Sequence, residues 1–143
     1  MDLSPRASAF FESYLSAFER MDPGDVAGHF SFPLHMTSDG EPVGLSSIAG
    51  PDEWREEIAR LVSFYGDVGV TTAQMLAARS IEVSPRVEHA VVHWQLRDAS
   101  GADVYDFHAV YTLAEIEGAT RIVALAHDEL PRALAYASGS ARA

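Results

Sequence analysis

From Val87 to Asp128 the chain reads as three long strands joined by two turns, Val87–Arg97, Asp103–Leu113 and Arg121–Asp128. The turns fall at Ala99-Ser100-Gly101-Ala102 and between Glu115 and Thr120. An earlier run from Val70 to Val83 is rich in β-branched residues and free of Gly and Pro, and Pro85 ends it. A sheet this long must cover one of its faces. Two or three amphipathic helices ahead of it supply the cover, and a strongly bent sheet over such helices leaves a conical hollow. The expectation is an α+β fold with a small-molecule pocket.

Ser4-Pro5 opens the first helix, with Ser as cap and Pro in the first turn. Phe10, Phe11, Tyr14, Leu15 and Phe18 give it one wide apolar face. Asp22-Pro23 repeats the start signal for a short helix to about Phe30, and Ser31 to Met36 reads as a short strand. Thr37 to Gly50 is rich in Gly, Ser, Asp and Pro and is expected to be mostly loop. Pro51 starts a helix with Trp54, Ile58, Leu61, Val62 and Tyr65 on one side and a Glu56–Arg60 pair on the other, ending at Gly66 to Gly69. Leu130 to Tyr136 is expected to form a terminal helical turn, with a frayed small-residue tail after it.

The 143 residues make one domain, expected to be ordered from about residue 4 to 137. A formal net charge of -11, with only ten scattered basic residues, argues against nucleic acid and against an anionic membrane surface. There is no cysteine, hence no disulfide, thiol nucleophile or thiolate metal site. The amino-terminal residues carry no apolar signal core, no run approaches the ~20 apolar residues of a spanning helix, and the chain is expected to be cytoplasmic. Without a glycine-rich phosphate loop, a GxSxG elbow or a nucleotide fingerprint, no cofactor is expected.

With the first turn centred between Ser100 and Gly101, Trp94 faces Phe107, Leu96 faces Tyr105 and His93 faces His108. One side of the sheet then collects Val92, Trp94, Leu96, Tyr105, Phe107, Ala109, Tyr111 and Leu113. The other collects Val91, His93, Gln95, Asp106, His108, Val110 and Thr112, and is expected to be the convex side, facing water or a second copy of the chain. The last strand has two registers. An even loop puts His127 beside His108; an odd loop puts it beside Ala109, on the aromatic side.

The order of helix, helix, short strand, helix and four long strands, with FFESYLSAFERMDPGDVAGHF and GATRIVALAHD, resembles the nuclear-transport-factor-2-like superfamily, which includes the SnoaL-like cyclases and ketosteroid isomerase. The resemblance covers Phe10 to Asp128. It implies an α+β cone with a mostly antiparallel sheet, a small hydrophobic ligand, and often a homodimer. The isomerase's first-helix tyrosine donor falls on Tyr14. Its general-base aspartate falls near Ser38, with Asp39 one step on. Its second donor falls near Ala109, whose side chain cannot donate. Cyclase-like members carry an acidic base at about the position of His127, and the superfamily's alternation turns Val123, Leu125 and His127 inward.

His127 is therefore the leading base candidate, since imidazole titrates near neutrality. Tyr14 is the hydrogen-bond donor and Asp39 the reserve base, although Ser-Asp-Gly is also a good turn. Trp54, Trp94, Phe107, Ala109, Tyr111, Leu125 and His35 are candidate ligand contacts. The aromatic ones among them serve equally well as core. Asp128 suits a cap as well as catalysis. His93 and His108, with His127 or Asp106, have metal-binding chemistry without a metal-binding spacing, so no metal is assigned. The leading reading is binding of a small hydrophobic molecule, with cofactor-free isomerisation, cyclisation or dehydration as its catalytic form. A non-catalytic ligand-binding or dimerisation module is the alternative, and a metal-dependent hydrolase the third. A homodimer through the convex sheet face is expected in each case.

Overall fold

In the computed structural model, which describes residues 2–142, six strands form one sheet in the order β2-β1-β6-β5-β4-β3. The elements are α1 (Pro5–Glu19), α2 (Pro23–Ala27), β1 (Phe30–Ser38), β2 (Gly44–Ile48), α3 (Pro51–Val68), β3 (Val70–Ser84), β4 (Val87–Asp98), β5 (Asp103–Ile116), β6 (Ala119–His127) and α4 (Glu129–Arg142). All neighbouring strands are antiparallel except β1 and β6. The sheet is curved, and the fold is the expected α+β cone.

Local chemistry sets the helix starts. The Ser4 hydroxyl accepts the Ala7 N–H at 3.0 Å, and Pro5 supplies a preset φ at the first turn. The same hydroxyl donates to Glu88 at 2.7 Å, and Arg6 reaches that carboxylate at 2.9 Å. Burial pushes Glu88 up, but the bonds from Ser4 and Arg6 outweigh it and hold the group below the ordinary carboxylate range. The start of α1 is thereby fastened to β4. Asp22 caps α2, accepting from the Asp25 N–H. Gly69 ends α3 at φ 82°, a left-handed conformation that glycine adopts without steric cost.

The core lies between α1–α3 and the inner sheet face. Phe11, Leu34, Leu113, Ile122, Val26 and Val92 are its largest fully enclosed side chains. Phe11 meets Tyr111 edge-on at 5.0 Å, and Phe30 meets Trp54 at 5.1 Å.

Three local expectations are corrected. The segment read as loop, Thr37 to Gly50, contains the end of β1 and all of β2. β2 is a short edge strand with only Ile48 buried, so it has no alternation to read. The tail read as frayed is helical: α4 runs to Arg142, and Leu130, Ala133, Leu134 and Ala137 share one side, on which the two leucines stay largely exposed. Arg60 pairs with Glu57 rather than Glu56.

β4 and β5 pair in the expected register, Trp94 with Phe107 and His93 with His108. The last hairpin follows neither expected rule alone. Its loop is even, the two residues Glu117 and Gly118, both at positive φ as a primed turn requires. Continued without interruption, that pairing would carry His127 to His108. Leu113 pairs with Ile122, but Thr112 pairs with Ala124, so Val123 is an extra residue in β6. This bulge moves the register by one, and His127 arrives opposite Ala109, on the inner face.

Candidate functional site

The inner face of β4, β5 and β6 forms one wall of a cavity of about 610 Å³, within the usual range for small-molecule sites. Trp94, Leu96, Phe107, Ala109, Tyr111 and Leu125 line this wall. Tyr14 and Phe18 from α1 and Trp54, Ile58, Leu61 and Tyr65 from α3 line the other, and α4 adds Leu130, Ala133 and Leu134. The alternation of the strands produces this arrangement: every second side chain points into the cone. The lining is mainly apolar. Trp94 donates its indole N–H to the Tyr111 hydroxyl at 2.9 Å, which removes one polar group from the set of free anchors.

Three further polar groups lie together where β1 and β6 end. Ser38 is the register partner of His127, and Glu129 follows at the start of α4. All three line the cavity. The Glu129 backbone N–H donates to His127 Nδ1 at 3.1 Å. A neutral His127 ring therefore carries its proton on Nε2 and offers a donor, not the free lone pair expected of a base. Burial lowers the His127 pKa and Asp128 opposes it, so the ring stays neutral at pH 7. The Glu129 carboxylate accepts two phenols on the same oxygen, Tyr65 at 2.5 Å and Tyr105 at 2.8 Å from Oε2. Burial raises the Glu129 pKa; the two tyrosine bonds oppose that, and Asp128 adds to it. Burial also pushes Tyr14, Tyr65, Tyr105 and Tyr111 well above the ordinary phenol range, so each acts as a neutral hydroxyl. Two buried polar atoms of cavity-lining residues have no partner among the described residues, Ser38 Oγ and Trp54 Nε1.

Of the residues singled out from sequence, His127, Tyr14, Trp54, Trp94, Phe107, Ala109, Tyr111 and Leu125 come together around this cavity. His35 and Asp39 do not. On β1, Met36 and Ser38 point inward, so His35 and Asp39 take the opposite side, outside the cavity. Asp39 sits in a separate shallow depression with Asp106, Asp128 and Arg132. Glu129 is not among the sequence candidates. It lies in the gap between the last expected strand and the last expected helix, where an acidic residue reads as a first-turn helix residue. Its partners are 64 and 24 residues away along the chain, and no local pattern reveals them.

The outer face carries a different assembly. His93 and His108 stack at 4.2 Å. His93 bonds Asp106 at 2.6 Å and His108 bonds Asp128 at 3.1 Å, and Arg132 from α4 bridges the two carboxylates. His93 chiefly, then Arg132, holds Asp106 below the ordinary range, although burial works the other way. Burial would raise Asp128, but the His108 N–H groups and Arg132 outweigh it and hold it low. His127 faces away from this cluster, so the three-histidine row does not form. Among the described residues no group of three or more His, Asp or Glu side chains is placed to hold a metal. None of the described helices is long and apolar enough to cross a membrane.

Comparisons with known proteins agree with this geometry. No curated protein matches the chain. An NTF2-like fold appears among solved structures of low identity. A protein of unknown function with a cystatin-like fold from Nostoc punctiforme superposes with a TM-score of 0.68 at 9% identity, over 90% of this chain and 94% of its own. Aln2 from a Streptomyces species gives 0.67 at 14% identity, over 97% and 99%. A ketosteroid isomerase-like protein from Erwinia carotovora atroseptica gives 0.60 at 15% identity, over 86% and 92%. At such identities the likeness establishes the fold alone. The family described as NTF2-like protein (DUF6841) matches residues 4–129, nearly the whole chain, and the chain belongs to that family.

Proposed function

We propose that this protein binds a small molecule with a largely apolar body and one polar end inside the cone. The observation that carries this reading is the distribution of polarity in the cavity. Aromatic and aliphatic walls enclose about 610 Å³, and Ser38, His127 and Glu129 meet at one end of the space. Burial without a hydrogen bond costs a polar group about 1–3 kcal/mol. Trp54 Nε1 and Ser38 Oγ are unpaired, so a guest's acceptor or a water that reached either would contribute affinity.

The same constellation supports a catalytic form of the reading, a proton transfer that needs no cofactor. His127 and Tyr14 supply neutral donors, and Glu129 supplies the carboxylate base that sequence alone assigns to His127 or Asp39. The resemblance of the Erwinia structure to ketosteroid isomerase, as its name states, fits this form.

A neutral apolar fluorophore such as Nile red tests the binding reading. It is expected to bind saturably with a blue-shifted emission. Ala109→Trp, which fills the wall opposite α1, is expected to abolish the signal while far-UV circular dichroism stays unchanged. Absence of binding to the natural protein, or equal binding by a folded Ala109→Trp variant, contradicts it.

The outer sheet face is proposed as the interface of a homodimer. Val91, Val110 and Ala126 lie in one row across β4, β5 and β6, and Gln95, also on this face, is buried. Sedimentation at micromolar concentration is expected to give twice the 15.5 kDa chain mass, and Val110→Arg to give the monomer. A natural protein that sediments as a monomer at that concentration refutes the interface.

A further inference from the structure

The polar end of the cavity has a sign of charge, and that sign narrows the guest. We infer that the guest carries a protonated amine on an aromatic or aliphatic body, and that the Glu129 carboxylate is its anchor. The inference rests on the cavity-binding reading and adds the chemical class.

Three observations carry it. First, Tyr65 and Tyr105 both donate to one oxygen, Oε2. Two donors on one oxygen suit a carboxylate, and they leave Oε1 for another partner. Second, no basic side chain among the described residues pairs with Glu129. The ten basic residues are all arginines. The one that lines the cavity, Arg60, is paired with Glu57 at the rim. Arg132 is committed to Asp106 and Asp128 on the other side of the sheet. His127 spends Nδ1 on the Glu129 backbone N–H, and burial keeps the ring neutral. An enclosed carboxylate without a counter-charge is costly, and a cation brought by a guest offsets that cost.

Third, the walls suit an ammonium group. Tyr14, Phe18, Trp94, Phe107 and Tyr111 surround the space with aromatic rings, whose faces attract a cation. Two further acids, Glu19 and Glu57, stand among the lining residues, with only Arg60 against them. The net charge of -11 draws cations from solution and disfavours anionic guests. An isolated pair of tyrosines would serve as well for a neutral guest; it is the combination with an uncompensated carboxylate that selects the amine.

A matched set of ligands tests this by calorimetry at pH 7: 2-(2-naphthyl)ethylamine, 2-(2-naphthyl)ethanol and 2-naphthylacetate, against the natural protein and Glu129→Gln. The expected order is amine, alcohol, acetate, with the amine ahead of the alcohol by about tenfold, roughly the yield of one charge-assisted hydrogen bond. In Glu129→Gln the amine's advantage over the alcohol is expected to vanish, whatever the variant's affinity for the alcohol itself. An alcohol that binds as well as the amine, an acetate that binds more tightly, or an amine preference that survives Glu129→Gln overturns the inference. The ranking on the natural protein decides the matter by itself if the variant does not fold. Binding of the alcohol or of Nile red without an amine preference sinks only the amine. Failure of all of them to bind sinks the cavity reading and the inference with it.

Discussion

The two faces of β4, β5 and β6 are built from the same stretches of chain and have opposite chemistry. On the inner face aromatic rings meet in a low-dielectric space, and the few polar groups are neutral or short of partners: His127, Glu129, the Trp54 indole. On the outer face the polar side chains of one cluster are paired with one another. His93, His108, Asp106, Asp128 and Arg132 form a closed network at the surface. Saturated polar groups hold structure together, whereas unsaturated ones are available to a guest. The difference separates a face with unpaired polar groups from one whose conspicuous histidine pair is already partnered, and the proposed function rests on the first.

The largest expected contrast is in stability. Leu113 is 1% exposed on the inner face, and its neighbour Thr112 lies on the outer face. Leu113→Ala is expected to cost about 2–5 kcal/mol in urea unfolding, from lost burial plus a cavity. Thr112→Ala is expected to cost less than about 1 kcal/mol. Similar costs for the two would break the distinction between the faces.

Next comes pH. Burial lowers the His127 pKa, so the unfolded chain binds that proton more readily. Its contribution to stability is present above about 6.5, the ordinary histidine value, and is lost as pH falls toward the lowered value. Glu129 works in the opposite sense, because its pKa is raised. Stability falls as pH rises from about 4.3, the ordinary glutamate value, through the raised one. Glu129→Gln is therefore expected to gain stability relative to the natural protein as pH rises through that window, and to lose the gain on acidification. Thermal melts between pH 4 and 8 read this directly, and a difference that does not vary with pH contradicts the assignment.

The smallest effect belongs to the outer network. Arg132 is 39% exposed at its side chain and pairs with two carboxylates. Arg132→Ala is expected to cost about 1 kcal/mol or less, with a smaller cost in molar salt and no change in Nile red binding. Loss of dye binding would mean that the outer network and the cavity are coupled.

Much of this division was legible in the sequence. The pairing of Trp94 with Phe107 follows from strand alternation and the turn at Ser100-Gly101, because side-chain period and turn position together determine which residues meet. The facing of His127 does not follow from loop length. A two-residue turn sends it outward and a bulge at Val123 brings it back. β2 is not legible in the sequence because one buried residue makes no pattern. Nor is Glu129, because its meaning depends on two tyrosines, one from α3 and one from β5. The hidden features are those set by contacts far apart in the chain.

The most direct test of an interior binding face is nitrogen-15 NMR of the two indole groups during a titration with 2-(2-naphthyl)ethanol. The Trp54 and Trp94 indole resonances are expected to shift together and saturate, with the Trp54 signal moving more because its N–H starts without a partner. The imidazole signals of His93 and His108 are expected to stay in place. Still indoles, or shifts confined to the outer histidines, would contradict the account.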